Sequence, residues 1–109
     1  MIKIYGIKNC DSVKKAQRFL QSNHIDFEFI DFRQKPIDSE TLLSFVDQLG
    51  WDGLINKRST TYRNLSDEQK NNINLDLVLK NPTLIKRPVL VIDQKISVGF
   101  SEKLYAELI

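Results

Sequence analysis

Short β-branched runs alternate with amphipathic stretches along this chain, and that alternation confines it to α/β arrangements. Ile2 to Tyr5 is β-branched or aromatic and stops at Gly6, the pattern of a buried strand. Gly6 to Cys10 forms a loop. Asp11 and Ser12 then supply start-of-helix chemistry, and Val13, Ala16, Phe19 and Leu20 recur at spacings of three and four. This predicts an amphipathic helix over 11–22, ended by Ser22 and Asn23. Phe27 to Ile30 predicts a second strand over about 26–31. Pro36 breaks the chain and Asp38-Ser39 opens a helix whose apolar face is Leu42, Leu43, Phe45, Val46 and Leu49, ending at Gly50.

The stretch 51–65 is the least regular. Ser66-Asp67-Glu68 opens one further helix carrying Ile73, Leu75, Leu77, Val78 and Leu79, stopped by Asn81-Pro82. Val89 to Ile92 is a buried strand, Asp93-Gln94 a tight turn, and Lys95 to Val98 the hairpin partner. Gly99 ends that strand, and Ser101-Glu102 starts a last helix through Leu108. The order is β-α-β-α, a helical middle, then β-β-α. A front βαβ unit demands parallel strands, and the closing hairpin adds antiparallel ones. The expected fold is α/β: a thioredoxin-like mixed four-stranded sheet with a helical insertion over about 38–82. With 109 residues, one domain spanning 1–109 is expected.

Composition narrows the function. Sixteen Lys and Arg against fourteen Asp and Glu leave a charge of +2, too small for binding nucleic acid through bulk electrostatics. A single cysteine rules out an internal disulfide, and with a single histidine it argues against a metal site. The N-terminus lacks the apolar stretch of a signal peptide, and no run is long enough to span a bilayer. A cytoplasmic protein with no membrane association is the expectation, since free thiols stay reduced there.

Cys10 is the leading candidate for chemistry. It stands between a predicted strand and a predicted helix, where free N–H groups and the helix dipole favour a thiolate, the nucleophilic form. Lys8 adds positive charge nearby and Asp11 opposes it. Position 13 is Val, so Cys10-Asp11-Ser12-Val13 is no CxxC pair, and any redox cycle needs a second molecule to resolve Cys10. Arg58, in Asn56-Lys57-Arg58-Ser59-Thr60-Thr61, and Arg87, directly before Pro88, are candidate oxyanion or carboxylate forks. Asn9 and the helix amides are candidate donors to the reacting sulfur. Arg18, Arg33 and Arg63 are read as solvated charges, His24 as an exposed turn residue, and Trp51, Tyr62 and the phenylalanines as packing.

Tyr5-Gly6-Ile7-Lys8-Asn9-Cys10-Asp11-Ser12-Val13-Lys14-Lys15-Ala16, Asn56 to Arg63, Ile85-Lys86-Arg87-Pro88-Val89-Leu90 and Gly99-Phe100-Ser101 together resemble the ArsC/Spx superfamily, most closely its YffB-like branch. The resemblance covers essentially the whole chain. It implies a thioredoxin-like fold, an essential cysteine at Cys10, a cis bond between Arg87 and Pro88, and a ligand-binding role for Arg58. In glutaredoxin-linked arsenate reductases the thiolate attacks arsenate, glutathione attacks the adduct, and glutaredoxin completes the reduction. Those enzymes carry a third arginine after the terminal hairpin, where this chain has Val98-Gly99-Phe100-Ser101. A loss of about 1.5–3 kcal/mol for one charge-assisted contact weakens the arsenate reading. The Spx regulators bind RNA polymerase and often sense oxidation through CxxC, which Val13 removes here.

The expected function is therefore a glutathione-dependent thiol reductase. Cys10 is its catalytic residue, and Asn9, Arg58, Arg87 and Pro88 form the substrate and glutathione site. Glutathione is the co-substrate, with no tightly bound cofactor and no metal. The alternatives are a glutaredoxin-coupled arsenate reductase and an RNA polymerase-binding regulator of the Spx kind. A monomer is expected, with glutathione as its partner and glutaredoxin as a further one.

Overall fold

β-Branched residues at positions 2 and 4 keep the N-terminal segment extended. In the computed structural model, which describes residues 2–109, they form strand β1 (Ile2–Gly6). The other strands are β2 (Glu28–Asp31), β3 (Val89–Ile92) and β4 (Lys95–Val98). They make one sheet of order β2-β1-β3-β4. β1 runs parallel to β2, pairing Tyr5 with Ile30, and antiparallel to β3, pairing Tyr5 with Val89. β3 and β4 form an antiparallel hairpin. Asp93 turns it in the left-handed region at φ 55°, which a short acidic side chain tolerates. This is the mixed four-stranded α/β sheet that the element order predicts.

Two compact units divide the chain. One gathers the chain through Lys35 with Arg87–Ile109; the other is Pro36–Lys86. The first holds the sheet with α1 (Asp11–Ser22) and α6 (Glu102–Leu108). Ile4, Ala16, Leu20, Leu90 and Tyr105 form its buried centre, with Phe19, Phe29, Phe100 and Leu104 packed around them. Burial of Ile4, Leu20 and Leu90 contributes about 1.5–3 kcal/mol each. Phe19, Phe100 and Tyr105 meet edge-to-face, the closest pair being Phe100 and Tyr105 at 4.8 Å between ring centroids.

Tyr105 is 0% exposed, and its hydroxyl has no protein hydrogen-bond partner. Burial pushes its phenol above the ordinary tyrosine range. The folded chain therefore keeps this phenol neutral where the unfolded chain begins to ionise it, at pH ~10. Its contribution to stability is intact below that pH and falls as pH rises further. Tyr105→Phe removes a desolvated, unsatisfied hydroxyl. It should raise stability by about 1 kcal/mol at neutral pH and flatten the alkaline decline. Urea unfolding at neutral pH and above pH ~10 measures both effects. A Phe variant less stable than the parent would show that the hydroxyl is bonded.

The second unit is helical: α2 (Ser39–Leu54), α3 (Thr60–Arg63), α4 (Asp67–Asn71) and α5 (Leu75–Lys80), followed by a 3-10 turn at Pro82–Leu84. Leu42, Phe45, Leu54, Ile55, Val78, Leu84 and Ile85 are its buried residues. An isolated antiparallel bridge joins Ile55 to Ile85. Lys86 N–H donates to the Leu54 carbonyl and Asn56 N–H to the Leu84 carbonyl, both at 2.8 Å.

Three expectations need correction here. The helix opening at Ser39 does not end at Gly50. That glycine leaves helical geometry at φ 70° and ψ 165°, and one more turn runs on to Leu54. The irregular stretch 51–65 contains α3, which Ser59 caps by accepting from Tyr62 N–H. The single helix expected from Ser66 to Asn81 is two. Asn74 accepts from Leu77 N–H and so starts α5 anew, because its side chain competes with continuation of the helix.

Candidate functional site

Gly6 closes β1 and brings α1 against it. A Cβ on Gly6 would lie 2.6 Å from Cγ2 of Val13, a fully buried residue in the first turn of α1, so only glycine permits this approach. The four residues between strand and helix are thereby fixed at both ends. Ile7 is buried, while Lys8 and Asn9 form an exposed turn.

Asp31, at the end of β2, pins this loop from the side. Its carboxylate accepts from Lys8 N–H at 3.2 Å and from Arg33 N–H at 2.9 Å, and Phe32 N–H donates to the Gly6 carbonyl at 3.0 Å. The sequence reading placed Asp31 only at a strand end and missed this role. The available signal was an acidic residue at the C-terminal end of the strand parallel to the one that leads into Cys10.

Cys10 is the N-cap of α1, with extended backbone at φ −104° and ψ 124°, and its thiol is free and half-buried. Its carbonyl accepts from Lys14 N–H at 3.0 Å, the first bond of the helix. The Cys10 side chain makes no capping hydrogen bond at the start of α1. By contrast α2, α3, α4, α5 and α6 begin with Asp38, Ser59, Ser66, Asn74 and Ser101, each accepting from a first-turn amide. Asp38 does so at 2.7 Å from Thr41, and that bond holds its carboxyl below the usual range. At α1 alone among these helices a sulfur occupies the position of the capping oxygen. The amide donors of its first turn, at the positive end of the helix, remain open to an anionic sulfur or a bound anion.

The Arg87–Pro88 bond is cis, as the family resemblance implies. The antiparallel register between β1 and β3 ends at the Tyr5–Val89 pair, next to Gly6 and Pro88 in sequence. Gly99 N–H donates to the Pro88 carbonyl at 2.9 Å, and Gly99 holds φ 80°, a backbone conformation suited to glycine. Pro88 is buried; Arg87 is half-buried with its Nε sealed from solvent. Asn9, Cys10, Arg87 and Pro88 thus lie in the sheet unit, at the end where β1 stops and β3 starts. Arg58 lies in the helical unit. It is exposed, and its N–H donates to Asn56 Oδ1 at 3.0 Å. Arg33 and Arg63 are exposed, as read.

The ArsC family model matches residues 5–108. An uncharacterized protein of Haemophilus influenzae is 47% identical over 109 residues, covering 96% of each chain. The global transcriptional regulator Spx of Enterococcus faecalis is 30% identical over 94% of this chain and 81% of its own. Among solved structures, the YFFB protein superposes with a TM-score of 0.92 at 35% identity, covering 98% of this chain and 97% of its own. A glutaredoxin of Archaeoglobus fulgidus shares the fold at a TM-score of 0.50 and 19% identity, covering 98% of this chain and 83% of its own.

Proposed function

The chain belongs to the ArsC family, and we propose on that premise that it is a glutathione-dependent thiol reductase with a single nucleophilic cysteine. The observation that carries this reading is the half-exposed Cys10 at the uncapped start of α1. The Cys10 side chain makes no capping hydrogen bond, so the first-turn amides of α1 are open to an incoming anion.

In the first step the Cys10 thiolate attacks one sulfur of a disulfide RS–SR′. A bond forms between Cys10 Sγ and R's sulfur, the old S–S bond breaks, and R′S⁻ leaves. A glutathione thiolate then attacks the R sulfur of the mixed disulfide, giving RS–SG and restoring the Cys10 thiolate, and a second glutathione thiolate exchanges with RS–SG to release RS⁻ and glutathione disulfide. Glutathione supplies the electrons, because Val13 leaves no resolving thiol two residues beyond Asp11. Asn9 presents donors to the reacting sulfur, while Arg87 holds a glutathione carboxylate. Pro88 shapes the backbone facing the thiol.

The test is turnover of a small disulfide with glutathione, coupled to glutathione reductase and followed by NADPH oxidation. Protein-dependent turnover is expected with the disulfide, and none when arsenate replaces it. Absence of turnover with every disulfide offered overturns the reading. The likeness to Spx over 94% of this chain supports a second one, a regulator that binds RNA polymerase. Capture of RNA polymerase on the immobilised protein, unaffected by loss of Cys10, would favour it.

A further inference from the structure

A cavity of about 620 Å³ opens along one face of α1. Ser12, Lys15, Arg18, Phe19 and Ser22 line one wall, and Phe100, Ser101 and Glu102 the other. The α1 residues recur every three or four positions, so they form one stripe along the helix, ~15 Å from Ser12 to Ser22. One end of that stripe is two residues from the thiol.

The lining has a definite chemistry. Phe19 and Phe100, 5.9 Å apart between ring centroids, present aromatic surface. Lys15 and Arg18, three residues apart, are exposed, and among the described residues neither makes an ion pair. Glu102 is the one acidic group of the lining, and three serines complete it. The volume falls in the range of sites for small organic ligands. Arg18, read from sequence as a solvated charge, therefore belongs to a concave surface whose first α1 residue, Ser12, follows Cys10 by two positions.

We propose that this groove is the subsite for the carboxylate-bearing arm of the disulfide that Cys10 attacks. It selects anionic substrates with an apolar or aromatic body. The aromatic floor takes the body, and Lys15 and Arg18 take the carboxylate. The proposal rests on the reductase reading and adds the substrate class to it.

Two chromogenic disulfides test it: dithiobis(nitrobenzoate), aromatic and dianionic, and dithiodipyridine, aromatic and neutral. Each reacts by the same exchange, the Cys10 thiolate forming a mixed disulfide and expelling one coloured thiol product. The Lys15→Gln/Arg18→Gln double variant should slow the anionic probe about fivefold, the yield of two exposed charge contacts, and leave the neutral one within about twofold. A change in thiolate fraction moves both probes alike, so their ratio isolates the groove. Lys95→Gln, a charge loss at the exposed first residue of β4 and outside this cavity, should leave the ratio unchanged. An equal fall in the Lys95 variant, or an unchanged ratio in the double variant, overturns the proposal alone. A Cys10 inert to both probes overturns the reductase reading and this proposal with it.

Discussion

Cys10→Ser is expected to abolish disulfide reduction and, at the same time, to make the protein more stable. The loss of activity follows from chemistry: an oxygen at this position cannot form the mixed disulfide on which turnover depends. The gain follows from where the residue sits. Cys10 is the N-cap of α1, and its side chain makes no capping hydrogen bond. Serine is among the preferred N-caps, and its hydroxyl can accept one of those donors, as Ser59, Ser66 and Ser101 do at other helices. The thiol is half-buried, so serine brings no sealed polar group with it. A gain of about 0.5–1 kcal/mol is expected from the urea midpoint, with the slope unchanged. The pairing is informative, because a site kept for reactivity at the expense of a cap has opposite signs in the two assays. Turnover surviving in the serine variant would remove Cys10 from the mechanism. A stability loss above ~1 kcal/mol would identify the thiol as a packing group.

Gly6→Ala is expected to damage both fold and activity. The added methyl falls 2.6 Å from Cγ2 and 3.3 Å from Cγ1 of Val13. Val13 is buried and β-branched, so it has no alternative rotamer to retreat into. The helix must shift instead, at a cost of about 1–3 kcal/mol. Because Cys10 sits between these two residues, the shift also moves the thiol, and turnover should fall about tenfold or more. Truncating the other partner makes this a test of mechanism rather than of generic damage. In the Gly6→Ala/Val13→Ala double variant the two stability losses should be less than additive by at least about 1 kcal/mol. Additive losses would place the strain elsewhere.

Local signals in the sequence carried the sheet unit. α1 runs over Asp11–Ser22, as Val13, Ala16 and Leu20 announced by their spacing. The hairpin of β3 and β4 was marked by its β-branched runs and by Asp93-Gln94. The helical unit was legible only in outline. Gly50 punctuates α2 as a left-handed glycine should, yet helical geometry resumes because Leu54 is buried together with Ile55 and Ile85 in that unit. The break between α4 and α5 turns on whether Asn74 caps or continues, and a polar side chain within an apolar pattern does not declare which. The prominence of Cys10 was legible from its place between strand and helix. Asp31 and the Lys15–Arg18 groove were not, because both depend on long-range neighbours. Asp31 acts through an amide 23 residues earlier, and the groove needs Phe100 from the far end of the chain.

The sheet is also assembled out of chain order, and this bears on how the protein is made. β1 leaves the ribosome before its antiparallel partner β3, with the whole Pro36–Lys86 unit encoded between them. That unit is continuous in sequence and closes through local contacts. It can form while synthesis is still under way. The sheet unit cannot. Until Val89 to Ile92 have emerged, β1 can be paired only on its β2 side, its other edge open to foreign strands. Translation speed and chaperone supply while Val89 to Val98 are being made should therefore govern the yield of native protein more than events during synthesis of β1.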